Sequence, residues 1–175
     1  MTMRAVVRGV GHYLPARVVE NSEFEATLDT TDEWIRSRSG IERRHFATDQ
    51  DTTSSMATAA AQAALADSGL EASDIDAIVL ATSTADLTFP SAATMVQAQL
   101  GMTSGFAFDV QAVCAGFVYA LSNANALIVS GQARRVLVIG AETFSRIMGL
   151  DRSLDLCAFW RRCRGAGAGS ARRCW

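Results

Sequence analysis

Four short apolar runs recur along the chain: "MRAVVRGV" at 3–10, "IDAIVLATS" at 75–83, "GFAFDVQAV" at 105–113 and "RRVLVIGA" at 134–141. Each is rich in β-branched or aromatic residues and short enough to be one strand. Stretches of helical length separate the later runs. "TTSSMATAAAQAALADSGL" has Ser/Thr caps before an alanine-rich body and a closing glycine, "PSAATMVQAQLG" runs from proline to glycine, and "AGFVYALSNANALIVSG" covers about four turns. The alternation predicts an α/β layered fold, a mostly parallel mixed sheet with covering and buried helices. Ala59, Ala60, Ala63 and Ala64 predict a helix lying close against a neighbour. A sheet of this kind normally extends beyond four strands, so further elements are expected.

Composition narrows the class. With 49% hydrophobic and 19% charged residues the 175-residue chain reads as a globular protein able to bury a core. A net charge of −2 gives no electrostatic case for nucleic acid or an anionic membrane as partner. Arg4 and Arg8 interrupt the N-terminal apolar residues, and no run of eighteen apolar residues occurs, so a cytoplasmic location is expected. The four cysteines are then expected to be reduced. His12 and His45 follow no metal-ligand spacing, and neither a metal nor a cofactor is expected.

Residues 153–175, "SLDLCAFWRRCRGAGAGSARRCW", differ from what precedes them. They hold three of the four cysteines (Cys157, Cys163, Cys174), two of the three tryptophans and five of the sixteen arginines, without helical or strand periodicity. The cysteine spacings of six and eleven residues fit no zinc pattern, and an arginine-rich nucleic-acid arm would be short and solitary. A third account is a shifted reading frame. The chain has arginine but no lysine, which points to GC-rich codons, and with such codons a one-base shift can turn this segment into Ser-Thr-Cys, Gly-Asp-Gly-Ala-Gly and Ala-Leu-Val-Leu-Glu. A domain at 1–152 followed by a frameshifted tail at 153–175 is therefore expected. The check is the coding DNA, which should continue into that glycine turn and strand when read one base along after the Arg152 codon; an early stop there would refute it.

Cys114 sits in "FDVQAVCAGFVYAL", where a strand should meet the N-terminus of a helix. Unpaired N–H groups and the positive dipole end at that point favour a thiolate, and Ala115 and Gly116 let a substrate approach closely. The backbone N–H of Cys114 could serve an oxyanion. A small buried hydrophobe is the competing account of a lone cysteine among apolar residues, and spacing alone favours it.

Three stretches together change that balance. "TTDEWIRSRSGIERRH" (30–45), "VLATSTADLTFPSAATMVQAQLG" and "FDVQAVCAGFVYAL" resemble the β-ketoacyl-acyl carrier protein synthase III family, thiolase-fold condensing enzymes that begin bacterial type II fatty-acid synthesis. The resemblance runs in register from about residue 3 to Arg152 and covers the N-terminal half of that fold. It implies that Cys114 is the nucleophile that takes an acyl group from acyl-CoA, and that Trp34 and Arg38 hold the CoA adenine. It also implies that Arg152 lies at the nucleotide end of CoA and that Phe89 crosses a homodimer interface to line the partner's acyl pocket. Without it, Trp34 and Phe89 would be read as core aromatics and Arg38 and Arg152 as solvated charges.

The family reaction condenses acetyl-CoA with malonyl-acyl carrier protein through an acyl-cysteine. A histidine and an asparagine from the second half of the fold assist decarboxylation, and no position in this chain matches them. The expectation is an acyltransferase by family that does not condense. The alternatives are a truncated remnant that dimerises or binds CoA, and a partial acyltransferase that only loads Cys114.

Overall fold

The computed structural model describes residues 4–147, which divide into two compact units. The smaller holds residues 16–46, joined by 144–147. Strand β1 (Arg17–Glu20) leads into helix α1 (Asn21–Glu25), followed by α2 (Asp32–Ser39) and β2 (Arg43–Phe46). The two strands pair antiparallel, with Val18 opposite His45. Val19, Phe24 and Ile35 form a small core, against which Phe46 packs. So small a core needs polar support, and buried Asn21 supplies it. Its Nδ2 donates to Asp32 Oδ1 and to the Ile41 carbonyl, both at 2.8 Å, and its Oδ1 accepts from Arg44 at 2.8 Å. Both amide hydrogens and the carbonyl oxygen of that buried side chain are therefore engaged.

The larger unit holds residues 4–15 and 47–143. Its elements are α3 (Thr53–Ser68), β3 (Ala77–Ala81), α4 (Ala92–Gln99), β4 (Phe106–Val110), α5 (Gly116–Val129) and β5 (Val136–Gly140), with α6 (Phe144–Ile147) beyond it in the other unit. The sheet order is β4-β3-β5 and both pairings are parallel. The sequence predicts these three strands and three helices; their parallel pairing follows from a helix lying between successive strands.

The central strand reads "AIVLA", apolar throughout, and all five of its residues are buried. Ile78 and Leu80 join Ala57, Ala61, Leu65, Ala93, Val96 and Ile139 in one cluster, whereas Val79 and Ala81 join Ala120 in another. Alternate side chains of one strand thus enter opposite layers, which is why a continuous apolar run suits a strand covered on both faces. The alanine stripe falls differently from the expectation. Ala57 and Ala61 are the buried alanines of α3 and Ala63 is exposed. Close approach does occur at the helix backbone, where a Cβ at Gly11 would stand within 2.3 Å of the Ala64 nitrogen and 2.4 Å of the Ala60 oxygen.

Residues 4–10 form no strand, contrary to the pattern of "MRAVVRGV". Val6, Val7 and Val10 are exposed, and the Val10 N–H donates to Asp67 Oδ2 at 2.9 Å. β-branched residues favour an extended chain, but a strand forms only beside an edge that takes up its hydrogen bonds. No described strand pairs with this segment. A cavity of about 940 Å³ is lined by residues 5–11, by β5 and by parts of α3 and α5.

The turn into β5 is tied down by Asp76, which accepts the backbone N–H groups of Arg135 at 2.9 Å and Arg134 at 2.7 Å. Those two bonds hold its carboxyl below the ordinary carboxylate value. A depressed folded-state value stabilises above the unfolded pKa, about 3.9, and that contribution disappears as pH falls through the folded value. Asp76→Asn should therefore flatten the loss of stability on acidification below about pH 4. Urea midpoints at pH 7 and pH 3 check this, and an equal drop in both proteins would contradict it.

Candidate active site

Strand β4 ends at Val110, whose carbonyl accepts the Thr82 N–H at 3.2 Å, and the chain then has five residues before α5 begins at Gly116. A single 3₁₀ turn at Val113–Ala115 makes the connection, closed by Ala115 N–H donating to the Ala112 carbonyl at 3.0 Å. Gly116 is buried, and a Cβ there would lie 3.3 Å from the Ala81 Cβ. A larger residue would push the helix off β3. The sequence anticipates this strand-to-helix elbow, and Cys114 stands at its apex as an exposed free thiol. It is not the buried hydrophobe of the competing account.

The elbow holds one feature that the sequence does not announce. Val113 has φ of 45°, the one non-glycine residue with positive φ among those described. Left-handed backbone at a β-branched residue costs about 1–3 kcal/mol. Nothing in "QAVCAG" signals it, because glycine or asparagine would be the expected marker of such a turn.

Carboxylates fix the neighbouring helices. Asp109 on β4 accepts the N–H groups of Ala92 at 2.9 Å and Ala93 at 2.7 Å, seating the start of α4 on the strand that leads to Cys114. Asp86 does the same for α3 through Thr53 at 2.7 Å and Ser54 at 3.0 Å. Asp109→Ala leaves two buried or half-buried N–H groups without their acceptor and should cost about 1–2 kcal/mol. A chemical denaturation curve reads this, and a cost below a few tenths would show that water replaces the carboxylate. α5 has no side-chain cap, and its first N–H, that of Gly116, donates to the Val113 carbonyl.

At the carboxyl ends of β3 and β5 the loops are cross-linked. Thr84 Oγ1 donates to Glu142 Oε2 at 2.6 Å and accepts the Thr143 N–H at 2.8 Å, while Glu142 Oε1 accepts the Ser83 N–H at 2.9 Å. Ligands of open α/β sheets gather at this end of the strands. Single threonines and a glutamate spaced nearly sixty residues apart give no sequence cue to this network.

The resemblance singled out four further residues. Trp34 and Arg38 fall one turn apart on α2, and the guanidinium carbon lies 5.7 Å from the indole centroid, within cation–π range. Trp34 is 39% exposed rather than a core aromatic; the buried position of α2 is Ile35. Arg36, between them, is instead tied to Asp32 at 2.7 Å and Glu42 at 2.8 Å. The hydrogen bond that Arg36 donates to Asp32 holds the Asp32 carboxyl below its ordinary value and the guanidinium pKa above its own. Cys114 and Phe89 belong to the larger unit and Trp34 and Arg38 to the smaller. Phe89, on the loop between β3 and α4, is 82% exposed, so it too is no core aromatic. Arg152 and the remaining cysteines lie outside the described residues. His12 is exposed and His45 lies in β2. Among the described residues no group of three or more His, Cys, Asp or Glu could hold a metal ion, and no helix is long and apolar enough to cross a membrane.

Comparison with known proteins gives this geometry its context. The family model for 3-oxoacyl-[acyl-carrier-protein (ACP)] synthase III matches residues 108–170, which takes in the elbow and runs on past Arg152. The chain is 77% identical over 171 residues to the β-ketoacyl-[acyl-carrier-protein] synthase III of Ruegeria pomeroyi, covering 97% of this chain and 51% of that protein. It is 68% identical over 171 residues to the enzyme of the same name from Dinoroseobacter shibae, again 97% and 51%. The crystal structure of 3-oxoacyl-[acyl-carrier-protein] synthase III from Aquifex aeolicus superimposes with a TM-score of 0.80 at 44% identity, over 85% of this chain and 48% of that one. The priming β-ketosynthase from the R1128 polyketide pathway gives 0.81 at 37%, over 88% and 47%. The chain spans about half the length of the curated relatives it matches, and the parallel sheet and covering helices are the N-terminal half of a thiolase-like α/β fold. With the elbow inside the matched stretch and identity this high along nearly all of its length, the chain belongs to the 3-oxoacyl-[acyl-carrier-protein] synthase III family.

Proposed function

We propose that this chain carries the acyl-loading half of the synthase III reaction, with Cys114 as the acyl acceptor. The observation that carries it is the exposed thiol at the apex of the elbow between β4 and α5. The thiolate sulfur attacks the thioester carbonyl of acyl-CoA, and the oxyanion so formed accepts a hydrogen bond from the Cys114 N–H. Collapse of the tetrahedral species breaks the bond to the CoA sulfur. CoA leaves as a thiolate and takes up a proton, and the acyl group stays on Cys114. Trp34 and Arg38 bind the adenine of CoA, their flat faces suiting a planar base, and Arg152 contacts the nucleotide end. Phe89 lines the acyl pocket of a second copy in a homodimer, in keeping with an exposed phenylalanine on a loop.

In the full family reaction a carbanion from decarboxylating malonyl-acyl carrier protein then attacks the acyl-cysteine, which starts a fatty-acid chain in the cytoplasm. No residue of these 175 matches the histidine and asparagine that would stabilise the enolate, so this chain loads without condensing. The test is isotope exchange between acetyl-CoA and labelled free CoA, run beside a condensation assay with malonyl-acyl carrier protein. Exchange without a condensation product is expected. A condensation product would refute the restriction to loading.

A second reading, CoA binding without chemistry, rests on the Trp34–Arg38 stack alone. It predicts quenching of tryptophan fluorescence by CoA, weakened by Arg38→Ala, with no exchange.

A further inference from the structure

We propose that Val113 is a positioning residue for Cys114, its left-handed backbone aiming the thiol at an incoming thioester. The inference rests on the reading of Cys114 as an acyl acceptor. Val113 has φ of 45°, and its side chain is 57% exposed, so little packing among the described residues offsets the strained backbone. A β-branched side chain is poorly suited to that conformation, whereas glycine adopts it freely.

The flanks explain why the turn needs it. Before the turn, the Val110 carbonyl is held by the Thr82 N–H, and after it Gly116 sits against Ala81. Both ends of the connection are therefore fixed on β3 or its continuation, and the chain must reverse within residues 111–115. Ala112, at φ −147° and ψ 29°, is also outside the regular regions, so the reversal is spread over two residues. A valine held at positive φ has a narrow range of backbone angles open to it, and the direction of the next Cα–Cβ bond is correspondingly fixed. Glycine at the same place would remove the strain and widen that range. A residue that breaks a local rule with little packing in return among the described residues marks a site where geometry matters more than stability.

The experiment compares Val113→Gly and Val113→Ala with the unaltered chain. It measures the unfolding midpoint, the rate of alkylation by iodoacetamide and the rate of acylation by acetyl-CoA, the last two read on the Cys114 peptide. Val113→Gly should keep or raise the midpoint and change alkylation by less than about 3-fold, while acylation, which demands orientation, slows by about 10-fold or more. Val113→Ala keeps a Cβ at the strained position and should acylate within about 3-fold of the unaltered rate. Acylation of Val113→Gly at the unaltered rate overturns the positioning role. So does a joint fall of midpoint, alkylation and acylation, which would mark a structural residue, or an alanine variant as slow as the glycine one. Failure of the unaltered chain to acylate while it still alkylates overturns instead the reading of Cys114, and the positioning role with it.

Discussion

Cys114→Ala is expected to abolish exchange between acetyl-CoA and free CoA, lowering it by roughly 10⁴-fold or more, because no other group on the elbow can accept the acyl chain. The substitution removes one exposed sulfur atom from a turn whose backbone is held by Val110, Ala112 and Gly116, so folding should change little. A circular dichroism melt separates the two effects. Exchange that survives in the alanine variant would transfer the chemistry to another nucleophile, such as the cysteines at 157, 163 and 174.

The largest effect on stability is expected at Leu80→Ala. Leu80 is fully buried at the centre of the parallel sheet, in the cluster shared by α3, α4 and β5. Its truncation opens a cavity between layers that cannot close without moving a strand paired on both sides, and should cost about 3–5 kcal/mol. A domain of this size is stabilised by about 5–15 kcal/mol in total, so the variant would stand near its unfolding threshold. Urea titration of the purified variant measures the cost, and a value below about 1 kcal/mol would mean that β3 is not the core strand it is described as.

The contrast between β3 and residues 4–10 shows what the sequence can and cannot say. Both have the β-branched pattern of a strand, yet "AIVLA" is paired on both edges while "MRAVVRGV" is paired on neither among the described residues. Local pattern states a preference; hydrogen-bonding partners distant in sequence decide whether it is met. The small unit at 16–46 illustrates the reverse case. Thr31 as cap, acids in the first turn, arginines in the last and Gly40 at φ of 71° mark α2 plainly by the usual helix signals. A search built on long apolar runs passes over it because it buries one residue, Ile35.

The site was legible in the same uneven way. The position of Cys114 at a strand-to-helix junction followed from the change of period in "FDVQAVCAGFVYAL". That a thiol there is exposed rather than packed did not, since both accounts use the same residues, and the structure was needed to separate them. The strain at Val113 and the Thr84–Glu142 bridge were illegible, because each depends on where strands end relative to one another. Trp34 and Arg38 lie between these cases. Their i, i+4 spacing on a helix already places them side by side, and the observed 5.7 Å realises it.

The account stands or falls on whether Cys114 takes an acyl group. Incubating the 175-residue chain with isotopically labelled acetyl-CoA, digesting it and weighing the peptides locates any adduct. The account predicts a labelled acetyl thioester on the peptide containing Cys114, removed by hydroxylamine at neutral pH and absent from Cys114→Ala. A chain that binds CoA yet carries no label on that peptide would contradict it.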